Sequence, residues 1–482
     1  MVEHHGRRSH SGPTRRQVLA GGVGLSCAAL LPGCGPEAND GAGAPGTRKP
    51  NVLFVLSDAH RASAVGCYGN DQLSTPHMDG LARDGLRLTS AVSSTPQCRP
   101  FRASWMSGAY SHHTGVLSNM LASAPSGKND KTSSRNFGID ARGQWIPGKL
   151  PTLGEHFRSQ GYRCGYYGKW DLGVPAVDPG PLRRGFDDGW AVWASNKHES
   201  FGGRYCLGKA ERLGAGKRFR ATVETDLALE FMAQDSDRPW LTVVSWGPPH
   251  GPLDAPAGYD DRGPVRARPN IPADTQEHVA RERLPKYYGL VEAIDHELGR
   301  LLRWLEESGQ AQDTLVVYTS DHGMMLGSHG LAGKELPYSE SICVPFLMRW
   351  TGSLPAGASI DMPFGTPDIL PTLAGLTGLG QPRDVDGADW SAVLRREPDA
   401  PRQEAAYLSA AEALHVGWPG WRGVCTQEHV YACTEDGPWL LFDRARDPYE
   451  LENLVSAEPQ LTSDLHDMTR ALMDRLGDRW RA

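Results

Sequence analysis

The sequence predicts an α/β fold, a mostly parallel sheet flanked by helices, followed by a smaller C-terminal α+β portion. Three observations lead there. Short continuous apolar runs that stop at polar residues read as strands buried on both faces. Segments of helical periodicity lie between them. After about residue 385 the pattern changes to short β-like pieces and one amphipathic helix. Strands alternating with helices place ligands beyond the carboxyl ends of the strands.

The elements follow in order. NVLFVLSD is the first such run and sets Asp58 at a strand end. Thr75 before Pro76 marks a helix start, an N-cap with proline in the first turn. WLTVVSW, Trp240 to Trp246, and TLVVYTSD, Thr314 to Asp321, repeat the buried-strand pattern. Between them Tyr287, Leu290, Val291, Ile294, Leu298, Leu301, Leu302 and Leu305 recur at helical spacing, ending at Gly309. GVCTQEHVYACT and WLLFDRARDPYEL are the late β-like pieces, and a helix is expected from Pro459 to Trp480. Cys425 and Cys433 flank one of these pieces, either as a pair after export or as free thiols.

The N-terminus has another character. Arg7, Arg8, Arg15 and Arg16 precede an apolar, glycine-rich run from Val18 to Leu31, too short to span a bilayer at about 20 residues. RRQVLAGG resembles a twin-arginine signal, and LPGC, ending at Cys34, resembles a lipoprotein cleavage box. The expectation is an exported protein, periplasmic or at the cell surface. Lipidation at Cys34 would attach it to a membrane; a plain cleaved signal is the alternative. The expected organisation is residues 1–34 signal, 35–49 flexible tether, 50–385 main α/β domain and 386–482 the smaller unit.

Composition sets limits. With 22% charged and 39% hydrophobic residues over 482 positions, the chain buries a large core and is not disordered. A net charge of −7 leaves no bulk basic field for nucleic acid, so any anion must meet a local cluster of cations. The nine cysteines include no CxxC pair.

The most informative stretch is TPQCRPFRASWMSGAY, with Cys98, Pro100 and Arg102 as CxPxR. Together with NVLFVLSD, GCYGN, TSDHGMMLGSHG, GKELPYSE, PTLAGLTG near Asp368 and DPYELENL, in that order, it resembles the formylglycine-dependent sulfatases of the alkaline-phosphatase-like superfamily over about residues 50 to 455. The resemblance implies an alkaline-phosphatase-like fold. It also implies that a formylglycine-generating enzyme oxidises Cys98 to an aldehyde before folding. One hydroxyl of the hydrated aldehyde then attacks sulfur and displaces the alcohol, and loss of the other proton expels sulfate. Arg102 is expected to pair with residue 98 from the next helical turn. A helix starting at Cys98 would aim backbone N–H groups at the anion.

The same resemblance gives the remaining roles. Asp58, Asp321 and His322, with residue 98, are the expected metal ligands; calcium is the expected ion, with manganese, magnesium or zinc as alternatives. Ala59 stands where many relatives carry a second acid or an amide, and His60 is expected as a surface histidine or one behind the ligands, not as a ligand itself. Lys169 in GYYGKWDLG and Lys334 in GKELPY match the sulfate-binding lysines, and His250 in WGPPHGP the histidine that protonates the leaving alcohol. Asp171 is a departure, because the family commonly has histidine there and a carboxylate repels an anionic ester. Three outcomes stay open: Asp171 turns to a cationic part of the substrate or an internal partner such as Arg102, the enzyme is slow or acts on another ester, or the change is neutral. The stretch from Trp190 to Arg220, with Trp193, Lys197, His198, Phe201, Arg204 and Tyr205, reads as a loop of substrate specificity or as ordinary surface, and no residue in it is assigned a role.

The expected activity is hydrolysis of the sulfate ester of an organic alcohol, a sulfated carbohydrate. Alternatives are a phosphonate monoester or phosphodiester hydrolase, and a non-catalytic lipoprotein that binds sulfated glycan. The sequence leaves the oligomeric state open.

Overall fold

Alternation along the first strand decides the layers. In β1 (Asn51–Asp58), Val52, Phe54 and Leu56 join one apolar cluster, while Leu53 and Val55 join another. Successive side chains point to opposite faces of a strand, so both faces of this one are covered. The structure is a computed structural model that describes residues 49–119, 150–173, 183–194, 198–208, 211–411 and 418–480. The export signal, the tether, Cys34 and Lys197 lie outside them.

The remaining strands are β2 (Leu86–Leu88), β3 (Arg163–Gly168), β4 (Gly189–Trp193), β5 (Arg204–Gly208), β6 (Glu211–Gly214), β7 (Trp240–Pro249), β8 (Thr314–Ser320), β9 (Phe346–Arg349), β10 (Ala358–Ile360), β11 (Ala405–Ala410), β12 (Trp421–Thr426), β13 (His429–Thr434) and β14 (Gly437–Asp443). A ten-stranded sheet runs β10-β2-β9-β8-β1-β7-β3-β4-β5-β6. Its centre, from β8 through β1, β7 and β3 to β4, is parallel; β9, β5 and β6 pair antiparallel. The three runs read as buried strands are therefore neighbours, β8-β1-β7, and their carboxyl ends meet at one edge.

The helices that matter here are α1 (Pro76–Asp84), α2 (Cys98–Ser107), α3 (Arg220–Met232), α4 (Leu284–Glu307), α5 (Ser339–Ile342), α6 (Ile369–Leu376), α7 (Ser391–Leu394) and α8 (Pro459–Leu476). Phe101 and Trp105 of α2 and Leu370 of α6 pack on one side of the large sheet, Phe231 of α3 and Leu298 of α4 on the other. Among the described residues no helix is long and apolar enough to cross a membrane.

One expectation changes. The stretch from Trp190 to Arg220 contains sheet: β4 is buried, and β5 and β6 extend the edge. For the cysteines the structure decides between the two alternatives. Cys425 packs in the cluster of Trp421 and Phe442, whereas Cys433 packs with Leu465 of α8, so they lie on opposite faces of the antiparallel sheet β11-β12-β13-β14. Both are free thiols. The residues just after 386 also pack first on the large core, through Val393 and Leu394, and the small sheet begins at Ala405.

Candidate active site

The carboxyl edge of the large sheet gathers the chemistry. Asp58 ends β1, Asp321 and His322 follow β8, His250 follows β7 and Lys169 follows β3. Cys98 opens α2, whose ten residues are all buried, so the N–H groups of its first turn face the same place. Ligand atoms of Asp58, Cys98, Asp321 and His322 lie within 4.8 Å of one another, and all four residues are buried.

Close backbone approach makes this convergence possible. Gly168 has φ +116°, and a Cβ there would stand 2.0 Å from the Ser245 carbonyl oxygen. Only glycine fits, and the next residue, Lys169, donates its N–H to that carbonyl at 2.7 Å. Strain collects beside the site residues: Ala59, Asp171 and Glu335 all hold positive φ, at 64°, 57° and 85°. Non-glycine residues in that region cost of order 1 kcal/mol or more each and persist where surrounding contacts over-determine them. At Ala59 the contact is visible, since its N–H donates to Asp321 Oδ1 at 3.0 Å.

Each carboxylate divides its two oxygens. Asp58 Oδ2 is taken by the Lys169 ammonium, and Asp321 Oδ2 by Arg102 Nη2 at 3.0 Å. Their Oδ1 atoms turn toward a common point, 3.6 and 3.5 Å from His322 Nε2. His322 Nδ1 bonds the Gly323 carbonyl at 2.8 Å, which aims Nε2 inward. Sγ of Cys98 completes the group, 3.2 Å from His322 Nε2 and 3.7 Å from Asp58 Oδ1. Two carboxylate oxygens and an imidazole nitrogen, each oriented by a bond from its far side, form a donor set that fits a divalent cation.

The charges lean positive around that point. Lys334 Nζ stands 3.0 Å from Cys98 Sγ. Burial alone would raise the Asp58 carboxyl, but Lys169, His250 and Lys334 hold it well below the usual range. Burial first, then Asp58, pushes the Cys98 thiol up, so the unmodified side chain stays protonated and is a poor nucleophile. Burial lowers His322 and His250 to about 4 and His198 to about 2.

Arg102, Asp171 and His60 each find partners of their own. Arg102 does not bond Cys98: besides Asp321, its Nη1 donates to the Lys169 carbonyl and to Ser245 Oγ, both at 2.8 Å. It therefore joins β3, β7 and β8 beneath the site. Asp171 does not turn to Arg102 either. Its partners are Arg99 Nε at 3.2 Å and Lys169 Nζ at 3.5 Å, and against burial Lys169 and Arg99 hold its carboxyl low. His60 is fully buried and faces away, bonded to Tyr318 Oη at 2.8 Å and the Ala64 carbonyl at 3.1 Å.

Three residues went unassigned in the sequence. Arg99 adjoins the motif cysteine and neutralises Asp171. His198 stacks on His250 with ring centroids 3.7 Å apart and planes 15° from parallel. Trp421, in β12, donates its Nε1 to the Glu335 carbonyl at 2.9 Å, so the small sheet clamps the loop that carries Lys334. Arg99 and His198 stood in strings already singled out, but their partners are 72 and 52 positions away, beyond any periodicity.

Comparison with known proteins agrees with this geometry. The sulfatase family matches residues 50–379, and the C-terminal family of N-sulphoglucosamine sulphohydrolase matches residues 327–477. An ulvan-active sulfatase of Formosa agariphila is 32% identical over 452 residues, covering 90% of this chain and 83% of that protein. A structure from work on glycosaminoglycan metabolism in Bacteroides thetaiotaomicron superposes with a TM-score of 0.78 at 24% identity, covering 90% of this chain and 98% of its own. The phosphonate monoester hydrolase of Agrobacterium radiobacter shares the fold, with a TM-score of 0.68 at 21% identity over 89% of this chain and 96% of that one. The chain belongs to the sulfatase family and is a sulfuric ester hydrolase.

Proposed function

We propose that the protein removes sulfate from a sulfated glycan outside the cytoplasm, with Cys98 converted to an aldehyde whose hydrate supplies the attacking oxygen. The observation that carries the reading is the ring of groups around Cys98 Sγ: Lys334 at 3.0 Å, His322 at 3.2 Å and Asp58 at 3.7 Å, the last held by Lys169. The similarity to an ulvan-active sulfatase supports a glycan substrate.

Asp58, Asp321, His322 and residue 98 would hold a divalent ion, which would supply Lewis-acid stabilisation of negative charge there. Its oxygen donors suit calcium, and the imidazole suits manganese or zinc as well, with magnesium a further alternative. The chain's own groups do the rest. Lys169 and Lys334 hold sulfate oxygens in a dry pocket, where fixed charge acts more strongly than in water. The first turn of α2 adds backbone N–H groups. His250 bonds the Gly251 carbonyl through Nδ1 at 2.8 Å, so Nε2 is the atom left to protonate the leaving alcohol, which it does from the charged ring that a bound sulfate anion favours against burial. Arg102 positions Asp321 and the Lys169 turn.

The two departures from the family pattern, Asp171 and Ala59, have counterparts within the chain. Arg99 neutralises Asp171, and the Ala59 N–H orients Asp321. Maturation belongs to the same reading. Cys98 is 2% exposed, which supports the action of a formylglycine-generating enzyme before the chain closes; a folded export of the twin-arginine kind would then require conversion in the cytoplasm. Lipidation at Cys34 would give a membrane-attached form.

Comparing kcat/KM on 4-nitrophenyl sulfate and on a phenyl phosphonate monoester tests the reading. A strong preference for the sulfate is expected. A preference for the phosphonate would replace it with phosphonate monoester hydrolysis, and ligand binding without turnover by converted protein would make it a glycan-binding protein.

A further inference from the structure

His250 follows β7 on a tight turn, its N–H bonded to the Gly247 carbonyl at 3.2 Å. Its ring is fixed by one hydrogen bond only among the described residues, from Nδ1 to the adjacent Gly251 carbonyl. One bond at the near end of an imidazole leaves the ring plane free to swing, yet protonating a departing oxygen needs Nε2 within hydrogen-bond reach of that atom. Something must fix the plane.

The segment between β4 and β5 supplies it. His198 lies face to face on His250 at 3.7 Å and 15°. Neither of its ring nitrogens has a hydrogen-bond partner among the described residues, so what it offers His250 is a flat face. The stack is itself tethered: Ser200 Oγ donates to the Pro252 carbonyl at 2.9 Å, and the Ser200 carbonyl accepts from Arg220 N at 2.8 Å at the start of α3. Two residues after each histidine, the two segments are thus joined by a bond.

We propose that His198 is a positioning residue for leaving-group protonation, its ring holding the His250 imidazole in the plane that faces the ester oxygen. The proposal rests on the role given to His250. His198 acts through the ring it stacks on, so its effect falls on the bond to the departing alcohol. A well-placed acid matters most when the alcohol leaves poorly and little when it leaves well.

The experiment measures kcat and KM of the aldehyde-bearing enzyme on phenyl sulfate, a poor leaving group, and on 4-nitrophenyl sulfate, a good one. His198→Ala is expected to lower kcat on phenyl sulfate by about 10²-fold, the lower end of what acid catalysis supplies. KM changes little, and 4-nitrophenyl sulfate loses only a few-fold. His198→Phe keeps a flat ring without nitrogens and restores phenyl sulfate turnover to within a few-fold of the parent. Equal losses on both esters, or no rescue by phenylalanine, would overturn the proposal. His250→Ala separates the two layers. If it shows the leaving-group dependence and His198→Ala does not, the stack alone is refuted; if His250→Ala loses both esters equally, the acid role falls and the proposal with it.

Discussion

Two clusters in this molecule have nearly the same composition. Around Cys98 stand Asp58, Asp321 and His322; some way along the chain His329, Glu340 and Glu450 also bring their ligand atoms within 4.8 Å of one another. The second cluster is closed. Glu340 Oε1 accepts from Arg268 Nε at 3.0 Å and Asn270 Nδ2 at 2.7 Å. Glu450 accepts from Ser339 N at 2.9 Å and Ser339 Oγ at 2.6 Å, and His329 Nε2 meets Asn270 Nδ2 at 3.1 Å. Protein groups answer its ligating atoms, and it fastens the C-terminal portion to α5. In the first cluster each carboxylate keeps one oxygen turned inward, with lysines arriving from separate loops on strained backbone. Two acids and a histidine do not make a site; donor capacity left open toward one point, at the edge of a parallel sheet, does.

The largest break in that contrast comes at the nucleophile. Cys98→Ala is expected to abolish turnover of 4-nitrophenyl sulfate while leaving the thermal midpoint close to the parent, since one small buried side chain replaces another. Parent-like activity in that variant would contradict the mechanism. The rim of the open cluster sharpens the comparison at smaller size. Arg99→Gln leaves the Asp171 charge beside an anionic ester and is expected to raise KM about tenfold, roughly 1.4 kcal/mol. Adding Asp171→Asn to it should recover most of that loss, because Arg99 and Asp171 act as a pair. Additive losses in the double variant would show that they do not.

The smallest effect belongs to the closed cluster and appears in stability only. Burial first, then the Glu340 charge, pushes the Glu450 carboxyl up to about 8. Glu340 goes the other way because Arg268 and Asn270 hold its ionised form against burial. A carboxyl raised in the folded state stays protonated there while the unfolded chain releases its proton. Its contribution is therefore complete below about pH 4.5 and is lost as pH rises toward 8. Glu450→Gln should flatten the decline of the thermal midpoint across that window without changing kcat. An unchanged slope would place the pH dependence elsewhere.

The sequence made the strand ends legible, because a buried parallel strand is a continuous apolar run and its first polar residue marks the edge where ligands bind. Asp58, Asp321 and His250 were readable that way, and the family strings supplied the role of Cys98 and the two lysines. What escaped was whatever depends on a partner far along the chain. Arg102 lies one turn from Cys98, so a pairing between them was the local expectation; the fold instead offers it Asp321, 219 positions on. Arg99 with Asp171, Trp421 with Glu335 and His198 with His250 are of the same kind. The β4 to β6 edge was missed because its strands are short and rich in glycine and arginine, and pairing with one another, not alternation, makes them strands.

The central claim is that turnover depends on an aldehyde at residue 98, inside the ring formed by Lys334, His322 and Asp58. Mass spectrometry of the peptide containing that residue, from protein of known specific activity, tests it most directly. The account predicts a side chain lighter by the difference between CH₂SH and CHO, in a fraction that rises in proportion to activity across preparations. Full activity in protein whose residue 98 is entirely unmodified cysteine would contradict it.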